Sequence, residues 1–242
     1  MKAVGVTVMS YNIHHGVGMD DQLNLHRIAD VIRDSGAEIV ALQEVDRFYG
    51  DRSEYKDQAA ELAALLGYYY AYGANLDLGP EEGRADNRQY GTAILSKHPI
   101  LRHENKMLSS CEDEPRGVLH AVIDLRDVHV DVYNTHLGLD TTSRTVQVQE
   151  MMRLTASAQG PKLVMGDFNA EPDSAELQLL LHSGLFVNSF QGMRDAYTFP
   201  FSRPPEIIDY ILTSPTVLHS NQRVIRSDAS DHQPIAADLI FK

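Results

Sequence analysis

Cysteine is almost absent from this 242-residue sequence, in which Cys111 is the one thiol. An intramolecular disulfide is therefore impossible, and a thiolate-based structural zinc site is not expected. No apolar run approaches the roughly 20 residues that a membrane-spanning helix needs. The amino terminus reaches the polar residues Ser10-Tyr11-Asn12 before a signal-peptide core can form. These absences predict a cytoplasmic protein in a reducing compartment, with no membrane association.

Positive charge is also scarce, because 21 Lys and Arg face 34 Asp and Glu, for a net charge of -13. Tryptophan is absent and aromatic residues make up 7%. A surface of this kind repels polyanions and offers no basic, aromatic-interleaved patch, so tight binding of duplex nucleic acid is disfavoured. Binding of a single phosphate beside a metal ion is still compatible, because the ion locally reverses the field.

The pattern of apolar residues predicts one α/β domain over residues 1–242, with no linker, repeat or low-complexity segment. One helix is expected between a cap at Asp21 or Asn24 and a stop at Gly36, and another begins after Asp173 or Ser174. Two more helices are predicted over residues 56–66 and 142–157. Predicted strands cover residues 4–13, 38–45, 68–74, 90–96, 117–125, 128–137, 162–165, 207–213, 217–225 and 234–241. A polar loop is expected over 75–88, and a tight turn at Arg126-Asp127.

The stretch 164–170 carries the strongest chemical signal. Asp167 and Asn169 follow a short apolar strand, and the period of two places both side chains on one face at the rim of the sheet. An unpaired buried carboxylate would cost several kcal/mol, so a metal ion, a water or a phosphate is expected between them. The alternative is a simple Asx-turn at a strand–helix junction.

Similar polar residues end the other predicted strands. Singly, each has a structural explanation, such as a solvated cap or a half-buried histidine whose hydrogen bonds are satisfied. Together they predict phosphate chemistry with a hard cation, since their oxygen atoms suit Mg²⁺ or Mn²⁺. The residues are Asn12, Glu44, Asn134, His136, Asp167, Asn169 and Asp209, with Asp231 and His232 just before the last strand.

Six short motifs extend this pattern over nearly the whole chain. They are Ser10-Tyr11-Asn12, Leu42-Gln43-Glu44-Val45, Tyr133-Asn134-Thr135-His136-Leu137, Gly166-Asp167-Phe168-Asn169, Ile208-Asp209-Tyr210-Ile211 and Ser230-Asp231-His232-Gln233-Pro234. In content and order they resemble the endonuclease/exonuclease/phosphatase superfamily, which has the DNase I-like fold. The resemblance implies a four-layered α/β sandwich, with two mixed β-sheets packed face to face, helices outside and one active site at the rim.

The resemblance also implies a role for each motif residue. Glu44 would be the principal ligand of Mg²⁺ or Mn²⁺, with Asn12 close to the same ion and Asp231 as an additional carboxylate. Asp167 would orient and deprotonate the attacking water, and Asn169 would hold the water or a phosphate oxygen.

The two remaining motif histidines are expected to serve the phosphate. By the same resemblance, Asp209 would pair with His232 and favour its imidazolium form, a donor to the charge that develops on the phosphate. His136 would donate to another phosphate oxygen.

Two positions depart from the family pattern. The abasic-site nucleases have an acid where this chain has His14, and a basic residue is common where this chain has Ile207. We therefore expect phosphate contacts from Arg116, with Arg88 second, and from Asn134 and the His14-His15 pair. The alternative is that these arginines are solvated surface residues and that the histidines are ordinary loop residues.

The predicted function is hydrolysis of a phosphoester bond, most simply of a small or flexible diester, by direct attack of water, since no residue resembles a covalent nucleophile. A Mg²⁺-dependent nuclease acting on DNA or RNA is the main alternative. A phosphomonoesterase and a lipid phosphodiesterase are less favoured. A non-catalytic module would be expected to have lost Glu44, Asp167 or His232. No obligate protein partner is predicted.

Overall fold

Two six-stranded mixed sheets pack face to face, with two helices on the outer face of each. A computed structural model describes residues 3–110, 113–126, 128–200 and 205–241. Cys111 and Asp127 lie outside these ranges, so the predicted turn at Arg126-Asp127 is described only as far as Arg126. The four-layered sandwich predicted from the motifs is confirmed. The single domain over 1–242 stays a prediction.

The two sheets have matching architectures. The first has the strand order β11-β12-β1-β2-β4-β3, and the second has β5-β6-β7-β8-β10-β9. In each, one parallel pair, β1 with β2 and β7 with β8, lies among antiparallel neighbours. The elements of the first half are β1 (Val4–Asn12), α1 (Leu25–Ser35), β2 (Ile39–Arg47), α2 (Gln58–Leu66), β3 (Tyr69–Leu78), β4 (Arg88–Ser96) and β5 (Ile100–Leu108). The others are β6 (Arg116–Leu125), β7 (Val128–His136), α3 (Thr141–Ala156), β8 (Lys162–Asp167), α4 (Ala175–His182), β9 (Val187–Asn188), β10 (Asp209–Thr213), β11 (Leu218–Val224) and β12 (Ile235–Phe241).

The helices begin and end at residues suited to those positions. Asn24, rather than Asp21, caps α1 by accepting a hydrogen bond from the Arg27 backbone, and Gly36 ends the helix in a left-handed conformation with φ 72°. Ser174, rather than Asp173, caps α4. The longest helix, α3, has 16 residues, and no helix in the described ranges is long and apolar enough to span a bilayer.

Side chains along the central strands alternate between the core that separates the sheets and the core under the helices, and this alternation also positions the polar residues. In β1, Val6 and Val8 enter the core between the sheets, whereas Met9 and Tyr11 pack toward α1 and α2. In β8, Leu163 and Met165 enter the core between the sheets in the same way. Because the period is two, the last polar residue of each strand continues the inward-facing row. Asn12 and Asp167 therefore meet between the sheets, at one edge of the sandwich.

Two strands and one loop differ from the sequence prediction. β5 was not predicted, because it is an edge strand whose middle residues are polar and mostly exposed, so it has no apolar alternation to detect. The two-residue strand β9 was also not predicted. The predicted loop over 75–88 is shorter, since β3 continues to Leu78 past an irregularity in its pairing with β4.

Asn134 links the two sheets, which corrects its predicted role in phosphate binding. Its side chain is fully buried on β7, and its Nδ2 donates to the carbonyls of Leu42 and Ala93, each at 2.8 Å. Its Oδ1 accepts from Nε2 of Gln43 at 2.8 Å. Both amide hydrogens are therefore used inside the protein, and none remains for a phosphate.

Replacing Asn134 by Ala is expected to lower the free energy of unfolding by about 2–4 kcal/mol, because buried partners on two strands would be left unpaired. Equilibrium urea denaturation measures this loss. Asn87→Ala is the matched control, since the exposed Asn87 amide donates to Asp77 on the surface, and a change within about 0.5 kcal/mol is expected there. A loss at Asn134 no larger than at Asn87 would contradict the cross-link.

Candidate active site

Asn12 connects the two carboxylates on which the candidate site is built. Its Nδ2 donates to Oε1 of Glu44 and to Oδ2 of Asp167, each at 3.0 Å. Its Oδ1 accepts from the backbone N–H of His14 at 3.1 Å. Since both amide hydrogens are used, the side chain has a fixed orientation, and it holds Glu44 and Asp167 on opposite sides of one amide group.

Glu44 reaches this position because β2 is irregular there. The pairing of β2 with β4 shifts between Leu42 and Val45, and Glu44 has a left-handed backbone with φ 57°. A bulge of this kind bends a strand and redirects one side chain. Burial is the main reason that the pKa of Glu44 is raised. The hydrogen bond from Asn12 opposes this rise, and the charge of Asp231 adds to it.

The donor atoms around Glu44 fit a divalent cation. In the described part of the chain, neither Glu44 nor Asp231 forms an ion pair with Lys or Arg, and the charge of Asp231 helps to raise the pKa of Glu44. The two carboxylates offer the hard oxygen atoms that Mg²⁺ and Mn²⁺ prefer, and the nearby Asn12 orients Glu44. A cation between them would offset a repulsion that nearby histidines relieve only in part, since the pKa of Glu44 stays raised.

Asp167 is a buried carboxylate that faces a second one. It is 1% exposed, and it lies opposite Asp209 in the pairing of β8 with β10. Burial and the charge of Asp209 raise the pKa of Asp167 to about 7, although its hydrogen bonds and His232 oppose the rise. A carboxylate with such a pKa can accept a proton near neutral pH.

Gly166 and Asn169 fix the conformation around Asp167. A Cβ on Gly166 would lie 2.1 Å from the carbonyl oxygen of Thr135, so only glycine allows β7 and β8 to approach this closely. Asn169 lies beyond the strand with φ 48°. Its backbone N–H donates to Oδ1 of Asp167 and its Nδ2 donates to the carbonyl of Leu137, each at 2.9 Å. The Asx-turn is therefore present, and the period of two does not extend from Asp167 to Asn169.

His232 and Asp209 form a buried ion pair next to Asp167. The distance from Nδ1 of His232 to Oδ2 of Asp209 is 2.9 Å, and Nε2 of His232 lies 3.7 Å from Oδ2 of Asp167. Burial opposes protonation of the ring, but the two aspartates together raise the pKa of His232 to about 10. His232 is therefore an imidazolium at neutral pH, and a cation is not expected to replace it between these aspartates.

His136 is a neutral histidine whose tautomer is set by Arg116. Nη1 of Arg116 lies 3.2 Å from Nδ1 of His136, and a guanidinium can only donate. The proton of His136 is therefore on Nε2, which lies 3.5 Å from Oδ2 of Asp167. Burial, with the charges of Arg116 and His232, lowers the pKa of His136 well below its usual value.

The remaining residues predicted to contact phosphate differ in whether they lie near Asp167 and its histidines. Arg116 is 5% exposed and also donates to Glu114, so it contacts His136 and not the surrounding solvent. Arg88 lies at the base of the loop over 79–87, where its Nε donates to the carbonyl of Tyr49 at 2.8 Å and pairs with Glu81. The structure does not bring Arg88 to Asp167. His14 is close, through its backbone bond to Asn12.

Three residues support the site without a strong sequence signal. The hydroxyl of Thr198 accepts from the backbone N–H groups of Ile208 and Asp209, at 3.1 and 3.2 Å. The hydroxyl of Ser230 donates to the carbonyl of Asn12 at 2.8 Å. The ring of Phe199 lies 4.8 Å from that of His232. Hydroxyl and aromatic residues are common everywhere, so only the folded chain singles out these three.

Comparison with known proteins gives this geometry a family. A sequence profile of the Endonuclease/Exonuclease/phosphatase family matches residues 9–232. The chain belongs to this family. Its members hydrolyse phosphoester bonds and typically use divalent metal ions. The matched region includes Asn12, Glu44, Asp167, Asp209 and His232.

Individual members of the family are similar over nearly the full chain. The uncharacterized protein YbhP of Escherichia coli is 31% identical over an alignment 255 residues long, and the alignment covers 96% of this chain and 95% of YbhP. A family structure from Beutenbergia cavernae has a TM-score of 0.83 at 22% identity, and covers 98% of this chain and 72% of that one. The mannosyl-6-phosphatase of Bacteroides thetaiotaomicron has a TM-score of 0.73 at 19% identity, and the match covers 98% of this chain and 100% of the phosphatase.

Substituting Asp209 by Asn is expected to lower the pKa of His232 from about 10 toward its ordinary value, because the paired negative charge is lost while burial still opposes protonation. Titration of the imidazole signals by NMR measures the shift. Asp238→Asn is the control, since Asp238 lies in the middle of the β1–β12 pairing, where it accepts a hydrogen bond from Thr7 and pairs with Arg223 rather than with His232. An unchanged His232 titration in Asp209→Asn would contradict the ion pair.

Proposed function

We propose that this protein is a divalent-metal-dependent phosphodiesterase that hydrolyses a small or flexible substrate by direct attack of water. The observation that carries the proposal is the arrangement around Oδ2 of Asp167. A carboxylate with a pKa near 7 lies beside an imidazolium and a neutral imidazole, and one amide links it to Glu44. Direct phosphoryl transfer to water needs a base, a cation and donors for the transition-state charge, and this set offers each.

Glu44, Asn12 and Asp231 are the residues that would hold the cation, Mg²⁺ or Mn²⁺. When bound there, the ion supplies a Lewis acid for a phosphate oxygen. Ionisation of Glu44 favours cation binding, and Asn12 orients one of its carboxylate oxygens. Asn12 contributes to both parts of the site, since the same amide also donates to Asp167.

Asp167 is the proposed general base. Its Oδ1 is occupied by the Asn169 backbone N–H, so Oδ2 is the atom that would accept the proton of the attacking water. Asn12 donates to that oxygen and holds it in place. The backbone turn at Asn169 fixes the direction of the carboxylate. The side chain of Asn169 is proposed to hold the water through its carbonyl oxygen Oδ1, or a phosphate oxygen through the second hydrogen of Nδ2, since the first donates to Leu137.

His232 and His136 are the proposed donors to the phosphate oxygens. His232 would donate from Nε2 as an imidazolium, with Asp209 holding the other ring nitrogen. His136 would donate from Nε2 as a neutral imidazole, with Arg116 holding its Nδ1. Donors held in a buried site stabilise developing charge more than mobile ones do, because they need no reorganisation.

The modest positive charge near Asp167 favours a diester over a monoester. A diester carries one negative charge on the phosphate and a monoester carries close to two at neutral pH. Arg116 is engaged by Glu114 and His136, and His136 is neutral. His232 is left as the main protein cation facing the phosphate. The net charge of -13 further disfavours a long polyanion.

The test is the initial rate of hydrolysis with Mg²⁺, Mn²⁺ or EDTA on bis-p-nitrophenyl phosphate and, in parallel, on a supercoiled plasmid. We expect metal-dependent hydrolysis of the small diester, with the plasmid intact. In Asp167→Asn the rate should fall by about two orders of magnitude or more, because the base is lost while the fold is kept. Plasmid nicking that disappears in Asp167→Asn would replace the small-diester proposal with a nuclease, and near-normal turnover in that variant would rule out the base.

The dependence of kcat/KM on pH is expected to be bell-shaped. Below the pKa of Asp167, about 7, the carboxyl is protonated and cannot accept a proton, so the rate falls as the pH decreases. Above the pKa of His232, about 10, the imidazolium is lost and the rate falls again. Asp209→Asn should move both limbs to lower pH, because the charge of Asp209 raises the pKa of Asp167 as well as that of His232. A rate that does not change as pH crosses 7 would contradict the proposed base.

A further inference from the structure

The loop after β1 places two imidazoles beside Glu44. His14, His15 and Glu44 offer ligand atoms that all lie within 4.8 Å of one another. Nδ1 of His15 is 4.0 Å from Oε2 of Glu44, and the two rings are in an edge-to-face arrangement with their centroids 4.4 Å apart. His15 is close to Oε2 of Glu44, whereas Asn12, which also donates to Asp167, contacts Oε1.

The ring nitrogens of both histidines are available. Across residues 3–110, 113–126, 128–200 and 205–241, no hydrogen bond to the ring nitrogens of His14 or His15 is present, although both side chains are partly buried. By contrast, His136 and His232 each have a protein partner on Nδ1. Neither histidine is among the buried groups that lack a partner within the described ranges, so their ring nitrogens are open to water or to an ion.

Glu44 directs its two oxygens to two different neighbours. Oε1 accepts from Asn12, on the side of Asp167, whereas Oε2 faces His15. The carboxylate can therefore contribute one oxygen to the oxygen-rich group with Asn12 and Asp231, and the other to the imidazole group. A carboxylate can contact two groups at once because each of its oxygens has its own lone pairs.

The backbone of the cluster is held in a costly conformation. His14, His15 and Glu44 have φ of 45°, 43° and 57°, and each left-handed residue costs about 1–2 kcal/mol. Gln58 holds both segments, since its Nε2 donates to the His15 carbonyl at 2.6 Å and its Oε1 accepts from the Asp46 backbone at 2.9 Å. The loop and the bulge are thus fixed to one buried side chain, which keeps the histidines and Glu44 together.

We propose that His14, His15 and Glu44 form a second divalent-cation site, selective for a borderline transition metal such as Zn²⁺ over Mg²⁺. Imidazole nitrogens suit Zn²⁺ and Co²⁺, whereas Mg²⁺ prefers oxygen atoms and gives up its water slowly. Three protein ligands leave one position open, as in catalytic zinc sites. Tetrahedral metal–ligand bonds of about 2.1 Å place ligand atoms about 3.4 Å from one another, so the ligand atoms, now within 4.8 Å, would need to approach by up to about 1.4 Å.

This site goes beyond the proposed phosphodiesterase activity and does not depend on it. The oxygen-rich group would take Mg²⁺ or Mn²⁺, and the imidazole group would take the softer ion, with Glu44 shared between them. The inference concerns binding, so it can be tested without a substrate.

The probe is Co²⁺, added to the metal-free full chain in the presence of excess Mg²⁺ and followed by its visible absorption. We expect one equivalent of Co²⁺ to bind with a band typical of nitrogen coordination, and Zn²⁺ to displace it. His14→Asn and His15→Asn should each weaken Co²⁺ binding about 10-fold or more, and the double variant should lose the band. Asparagine is chosen because it tolerates a left-handed backbone.

Three further variants and a measurement of stability separate this site from other effects. His219→Asn, on the exposed strand β11, should bind Co²⁺ as the unaltered chain does. Asp231→Asn should keep the band, because Asp231 belongs to the oxygen-rich group, and Glu44→Gln should lose it. Melting temperatures of the histidine variants close to that of the unaltered chain show that the fold is kept.

A Co²⁺ band that survives in the double histidine variant, or that an excess of Mg²⁺ removes, would overturn the second site. Hydrolysis of bis-p-nitrophenyl phosphate is measured separately. If no ion supports hydrolysis but the band still depends on His14 and His15, the phosphodiesterase proposal fails and the cation site stands. If hydrolysis occurs and the band does not depend on these histidines, the reverse holds.

Discussion

Two buried carboxylates face each other across a strand pair, and the rest of the candidate site depends on how their repulsion is relieved. Asp167 and Asp209 are direct partners in the β8–β10 register and are almost inaccessible to solvent. His232 lies between them as a single positive charge. The relief is incomplete, because Oδ1 of Asp209 has no hydrogen-bond partner within the described ranges and the pKa of Asp167 is raised to about 7. This incomplete relief makes Asp167 able to accept a proton near neutral pH.

The same constraint explains why the two histidines of the site differ. His232 contacts carboxylates on both ring nitrogens and is held charged, whereas His136 contacts a guanidinium on one nitrogen and is held neutral. Both turn Nε2 toward the same oxygen of Asp167. One small volume thus contains an acid, a neutral donor and a base. Their protonation states follow from their neighbours and not from their residue types.

The central features of the fold and site were predictable because they depend on local pattern. Alternating apolar residues located the inner strands, and the polar residue that ends each row marked the edge where the strands meet. The edge strand β5 could not be found in this way, because it contributes little to the core. Asn134 was misjudged for a related reason. It continues an inward row as Asn12 does, but its partners Leu42 and Ala93 belong to the other sheet, and their proximity exists only after packing.

The partners of charged side chains were also not predictable from the sequence. Nothing local distinguishes Arg116, which reaches His136 twenty residues away, from Arg88, which holds the carbonyl of Tyr49. The Asx-turn at Asn169 also replaced the simple alternation expected after Asp167, because a strand's period ends where the strand ends. The positions of the inner strands and of the polar residues that end them were therefore predictable, whereas pairings between distant segments were not.

The pairing of β1 with β12 has a consequence for how the chain folds. Strand β1 lies in the middle of its sheet, and one of its two neighbours, β12, comes from a distant part of the sequence. Until β12 docks, β1 has an open edge, and the carbonyl of Asn12 lacks the hydrogen bond from the Ser230 hydroxyl. Long-range closure of this kind is slow and leaves partly folded chains prone to aggregation. The candidate site would thus be completed only once β12 docks beside β1.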